Sequence, residues 1–143
     1  MVLRGRWLLF WRMHFAFALA VEIVLGWWVL DGMETLLRSW SCEVIKAPDL
    51  ETALAVIGES PLMPNGLLVD YHLDHGNGIE AITELRRRFG DLPAILITAD
   101  RSPAVREQAR TQGIQILHKP IKPAALRALL AQANREAARI KAM

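Results

Sequence analysis

The sequence predicts an α/β fold, a doubly wound parallel sheet with helices on both faces, and three observations carry that expectation. From about residue 30 onward, segments with helical spacing of apolar residues alternate with short apolar runs across brief polar joints. The runs CEVIKA, GLLVD, AILIT and IQILH have unbroken apolar cores, which suit strands buried on both faces by flanking helices. Polar residues close three of them, Asp70, Thr98 and Lys119. Open α/β sheets keep their ligand crevice beyond the carboxyl ends of their strands, so these three side chains are expected on one rim.

The first thirty residues stand apart. Four of the five tryptophans, Trp7, Trp11, Trp27 and Trp28, lie there with Arg4, Arg6, Arg12 and a nearly continuous apolar stretch over residues 13–30. A basic start, an apolar middle and tryptophans near both ends suit a bilayer anchor. Arg12, His14 and Glu22 interrupt it, and a charge at Glu22 is costly in hydrocarbon. The α/β pattern makes an opposing demand on VEIVL, residues 21–25, as its missing first strand. Without an interior first strand, two neighbouring strands keep unpaired edges in the core, at about 1–3 kcal/mol per buried backbone group left without a partner. Residues 21–25 are therefore expected to form the central strand. Residues 1–20 are then an atypical apolar, Trp- and Arg-rich extension, and residues 21–140 the folded domain.

The remaining elements follow in order. Met33, Leu36, Leu37 and Trp40 make a one-sided helical stripe ahead of CEVIKA. Asp49, after Pro48, caps a helix carrying Leu50, Ala53, Leu54 and Ile57, and GLLVD follows. Asn77 caps the helix of Ile79, Ile82, Leu85 and Phe89 ahead of AILIT. Ser102-Pro103 sets a cap and a first-turn proline before residues 104–112, whose weak stripe, Val105 and Ala109, makes this the loosest helix. After IQILH, Leu126, Leu129, Leu130 and Ala133 mark the last helix. Right-handed crossovers through this sequence of elements predict a flavodoxin-like wind with strand order 2-1-3-4-5, five helices, and CEVIKA at the edge.

Composition narrows the function. A chain of 143 residues, 52% hydrophobic and 22% charged, is one globular domain rather than a disordered or multi-span membrane protein. The net charge of +2 is small and the basic residues are scattered apart from Arg86-Arg87-Arg88, so nucleic acid is not favoured as a partner. The lone Cys42 forms no internal disulfide and fits a reducing cytoplasm.

The chemistry concentrates in LLVDYHLDHGNG, residues 67–78. His72 and His75 have a spacing that zinc sites use, but zinc needs third and fourth ligands held rigidly, so Asp74 and His75 read as a solvated loop. An aspartate at a strand end can attack phosphorus, a hydroxyl can donate to the new phosphoryl oxygens, and an ammonium can neutralise them. Asp70, Thr98 and Lys119 are such a trio. Residues from about 30 to 131 resemble the receiver domain of two-component response regulators. The resemblance is carried by LLVDYHL with Asp70, the loop ending Asn77-Gly78, ILITA with Thr98 and Ala99, and HKP with Lys119 and Pro120. It implies Asp70 as phosphoacceptor, Thr98, Ala99 and Lys119 as the phosphoryl-binding switch residues, and a cis bond before Pro120. It also implies Mg2+ held by Asp70 and the backbone carbonyl of His72, and a histidine kinase or phosphotransfer protein as partner. The domain would then be a bacterial, cytoplasmic, non-enzymatic phosphorelay element that signals through partner binding. The ending LHKPIKPAALRALL is most similar to receivers of hybrid sensor histidine kinases.

The chain departs from that family at its amino end. The acidic pair that holds magnesium is expected near residues 24–26, which are Val24, Leu25 and Gly26. Glu22 falls within the strand and Asp31 in the first helix, so neither substitutes. Two alternatives follow: a phosphate-independent pseudo-receiver that acts as an interaction module, and a membrane-tethered receiver anchored by residues 7–30. A mis-assigned start over residues 1–28 would also account for the departure. An aspartate-nucleophile phosphohydrolase of the haloacid dehalogenase kind is discounted, because it wants an aspartate where His72 stands. Ile116 occupies the position of the aromatic residue that couples many receivers to their partners.

Overall fold

The computed structural model describes residues 22–25 and 30–143. Five parallel strands, β1 (Glu22–Leu25), β2 (Val44–Ala47), β3 (Gly66–Asp70), β4 (Ala94–Thr98) and β5 (Gln115–His118), lie in the order β2-β1-β3-β4-β5. The helices between and after them are α1 (Leu30–Ser39), α2 (Leu50–Glu59), α3 (Gly78–Phe89), α4 (Pro103–Thr111) and α5 (Pro123–Ala142). The first strand begins at Glu22; Val21 and the extension over residues 1–20 lie outside the described residues, as do Trp27 and Trp28. β1 sits between β2 and β3, with Glu22 in register with Val44 and Gly66, and Leu25 in register with Ala47 and Val69.

The period of a strand sends successive side chains to opposite faces, and β3 and β4 separate two cores in this way. Leu67, Val69, Ala94 and Leu96 pack with Ala53 and Ile57 of α2, Ile82 and Leu85 of α3, and Val105 and Ala109 of α4. Leu68, Ile95 and Ile97 pack on the other face with Met33 and Leu37 of α1 and Leu126 and Leu130 of α5. β3 and β4 are buried along their whole length. β2 and β5 are not: Lys46 and Gln115 are exposed, contrary to the burial on both faces that their apolar runs suggest. Both are edge strands, where one neighbour and part of the helical cover are missing.

The joints use the expected caps. Asp49 accepts from the Thr52 N–H, Asn77 from the Ile79 and Glu80 N–H groups, and Ser102 from the Val105 N–H ahead of α4, which Pro103 opens. Among the described residues, no helix is long and apolar enough to cross a membrane. Most of the apolar stretch that suggested an anchor lies outside them, and Glu22–Leu25 within it forms β1.

Candidate functional site

β3 and β4 run side by side with Asp70 paired to Ile97, so Asp70 and Thr98 finish adjacent strands at the carboxyl rim. Both are buried, Asp70 at 5% and Thr98 at 0% exposure. Lys119 follows β5 directly, and its backbone N–H donates to the Thr98 carbonyl at 2.9 Å, which anchors the residue beside β4. Its ammonium then reaches back across the rim, with Nζ 2.9 Å from Asp70 Oδ2. A carboxylate so little exposed is costly to keep ionised without a partner, and the lysine supplies the compensating charge. The Lys119–Pro120 peptide is cis.

The loop after β3 holds the other carboxylate oxygen. The His72 N–H donates to Asp70 Oδ1 at 3.0 Å, the Tyr71 N–H to the Ile97 carbonyl at 2.8 Å, and the Gly78 N–H to the Tyr71 carbonyl at 2.9 Å. Gly78 is packed so tightly that a Cβ there would stand 2.4 Å from the Asp70 carbonyl oxygen and 2.8 Å from Leu96 Cδ1. The His72 side chain is exposed, as are Asp74 and His75. Their exposure matches a solvated loop.

Asp100 is a neighbour of this site that the sequence reading did not single out. Its N–H donates to Thr98 Oγ1 at 2.9 Å, and its carboxylate accepts from the Ser102 N–H at 2.7 Å. That backbone hydrogen bond holds the Asp100 carboxyl below the ordinary carboxylate value, with smaller contributions from the charges of His72 and His118. The readable signal was the DRSP stretch, in which an aspartate two residues before a capping serine can fold back on the backbone. Ala99, exposed, stands between Thr98 and Asp100. Thr98 therefore connects the buried pocket to the entry of α4 through one hydrogen bond.

The arrangement is a buried carboxylate, a cation in contact with it, and a hydroxyl on the next strand. These are the parts that acyl-phosphate chemistry uses.

Comparison with known proteins agrees with this fold. The family model described as response regulator receiver domain matches residues 28–131. Among solved structures, the signal receiver domain of an HD domain-containing protein from Pseudomonas fluorescens Pf-5 is similar at 21% identity and a TM-score of 0.74, over 86% of this chain and 93% of that one. A CheY-like response regulator receiver domain protein from Methanospirillum hungatei JF-1 is similar at 20% identity and a TM-score of 0.72, over 83% and 97%. The Vibrio cholerae chemotaxis protein CheY4 is similar at 19% identity and a TM-score of 0.69, over 79% and 98%. At these identities the structures attest the fold. No curated protein matches the chain.

Receiver domains of this family typically bind Mg2+, and among the described residues the donors near Asp70 do not fit such a site. Among the described residues, no three His, Cys, Asp or Glu side chains come together as metal ligands. Leu25 is the β1 residue level with Val69, and Gly26, next in sequence, has no side chain to offer. Glu22 is level with Gly66, four residues before Asp70, or roughly 13 Å away along the strand at about 3.3 Å per residue.

Proposed function

The chain belongs to the response regulator receiver domain family of two-component signalling, and from that premise we propose that Asp70 is the phosphoacceptor of a phosphorelay. A carboxylate oxygen of Asp70 bonds to phosphorus as the P–N bond of a phosphohistidine donor breaks and imidazole leaves, and water later takes the phosphoryl group from the acyl phosphate. The donor is a histidine kinase or a phosphotransfer protein. In this reading the Lys119 ammonium neutralises the phosphoryl oxygens, while the Thr98 hydroxyl and the Ala99 N–H donate to them. Receiver domains in general are phosphoacceptors and not enzymes. Residues 21–140 form the receiver unit and residues 1–20 an extension to it.

One observation carries the reading: a buried Asp70 with Lys119 Nζ at 2.9 Å, beside Thr98, at the carboxyl rim of β3 and β4. No step is assigned to Mg2+. Lys119 is the cation that the chain itself brings to the reacting group.

The same deficit favours a second reading, a pseudo-receiver that binds partners without being phosphorylated. Intact-mass measurement after incubation with a small acyl-phosphate donor, with and without Mg2+, separates the two. Under the phosphoacceptor reading the protein gains one phosphoryl group and the Asp70→Asn variant gains none. No gain under any condition assigns the chain to the pseudo-receiver class.

A further inference from the structure

Arg86, Arg87 and Arg88 make the one basic run in the sequence, yet they do not form a basic face. Arg87 pairs with Glu84 on its own helix at 2.6 Å. Arg86 turns inward. Its Nε donates to the Leu92 carbonyl at 2.8 Å, Nη1 to the Gln112 carbonyl at 2.5 Å, and Nη2 to the Gly113 carbonyl at 3.5 Å. One turn earlier on α3, Thr83 Oγ1 lies 2.7 Å from Gln112 Oε1 and 2.9 Å from the Ile79 carbonyl, so its single hydroxyl proton is divided between the two acceptors. Two of the three guanidinium bonds and one of the two hydroxyl contacts end on the two residues that close α4, where Gln112 is the C-cap and Gly113 takes a left-handed φ of 61°.

The two ends of α4 are thus held by different means. At the carboxyl end a guanidinium meets carbonyls that the helix leaves without intrahelical partners, at the negative end of its dipole. Charge-assisted bonds of this kind are about twice as strong as neutral ones. At the amino end the ties to the preceding loop are chiefly backbone N–H groups to side-chain oxygens, Asp100 to Thr98 Oγ1 at 2.9 Å, Ser102 to Asp100 at 2.7 Å and Val105 to Ser102 Oγ at 3.4 Å, with one long guanidinium contact made by the helix's own Arg106, Nη2 to the Arg101 carbonyl at 3.5 Å. Between them the helix buries only Val105 and Ala109.

We propose that Arg86 is a positioning residue that fixes the carboxyl end of α4 as a hinge, so that a change at Thr98 swings the amino end of the helix and alters the face it offers to a partner. The lever is short. A helix of nine residues is roughly 14 Å long, and a tilt of about 10° moves its far end by roughly 2 Å. The use of the hinge in signalling rests on the phosphoacceptor reading. The hinge itself is a property of the resting protein, so its test needs no phosphodonor and can fail independently of that reading.

Backbone amide chemical shifts of the full chain provide the test, through the isosteric change Thr98→Val in two backgrounds. With Arg86 in place, Thr98→Val shifts the amides of residues 99–105 and leaves residues 112–114 nearly unmoved. With Arg86→Met, the same change spreads to residues 112–114, and Arg86→Lys, which keeps a donor for the carbonyls, pulls the disturbance part of the way back. A guanidinium with only a structural role would lower the urea midpoint while leaving the distribution of shifts as it was, and that result overturns the hinge. Equal disturbance of both ends with Arg86 present overturns it too. If Arg86→Met does not fold, Thr83→Val removes the bond to the Gln112 side chain, and the same spread to residues 112–114, in weaker form, is expected; its absence counts against the hinge.

Discussion

At the scale of single residues, Asp70 is shaped as much by a residue without a side chain as by its charged partner. Gly78 lies against the Asp70 carbonyl and Leu96, and a Cβ would come closer to both than real Cβ atoms do. The backbone of Asp70 cannot yield without disturbing β3. Gly78→Ala is therefore expected to cost about 1–3 kcal/mol, the usual penalty for overpacking, as measured by urea denaturation. Asp100 responds to acid. Its folded carboxyl titrates below the ordinary 3.8 because the Ser102 N–H bonds to the ionised form. A depressed folded value means that this group's stabilisation is complete above the ordinary value and lost as pH falls through the lower one. Asp100→Asn should thus be less stable than the parent at neutral pH, with the difference shrinking below about pH 4, near the unperturbed carboxylate range. Urea midpoints across that range check it. Asp70, Thr98 and Lys119 were legible in the sequence because each closes an apolar run. Arg86 was not, since a run of three arginines looks like a solvated face. The signal was present in the spacing, because Ile79, Ile82, Arg86 and Phe89 fall on one helical stripe.

At the scale of elements, the boundaries read best where a side chain does a backbone's work. α3 opens with a capping box: Asn77 accepts from the Ile79 and Glu80 N–H groups, and Glu80 Oε2 accepts from the Asn77 N–H at 3.3 Å. The sequence NGIE carries both halves of the box, although only the asparagine was read as a cap. Asn77→Ala should cost about 0.5–2 kcal/mol, measured as a shift in urea midpoint at unchanged slope. Edge strands were less legible. The apolar runs of β2 and β5 resemble those of β3 and β4, because a run of side chains records hydrophobicity and not how many faces are covered. The order of the strands decides that. The weak stripe of α4 shows in its two buried side chains, but α2 also buries only two, Ala53 and Ile57, so burial does not single out α4 as the loosest helix. The polar ties that hold its carboxyl end come from α3, and a one-dimensional pattern holds no record of which helix lies beside which.

At the scale of the whole molecule, the parallel wind makes the site. Only a sheet whose strands all run one way brings the ends of β3, β4 and β5 to a single rim, and there Asp70, Thr98 and Lys119 meet. The pattern from residue 30 onward was readable because each run and stripe repeats a known period. The amino end was read from topology instead, from the demand that β2 and β3 share a partner, and Glu22–Leu25 meets that demand. The parallel wind matters to function through Asp70, the residue proposed to receive the phosphoryl group. Borohydride reduction of the phosphodonor-treated protein converts an acyl-phosphorylated aspartate to homoserine, and peptide sequencing by mass spectrometry then locates it. Homoserine is expected at position 70 and nowhere else. Homoserine at position 74 or 100, or a treated protein without any, overturns the assignment of Asp70 as phosphoacceptor.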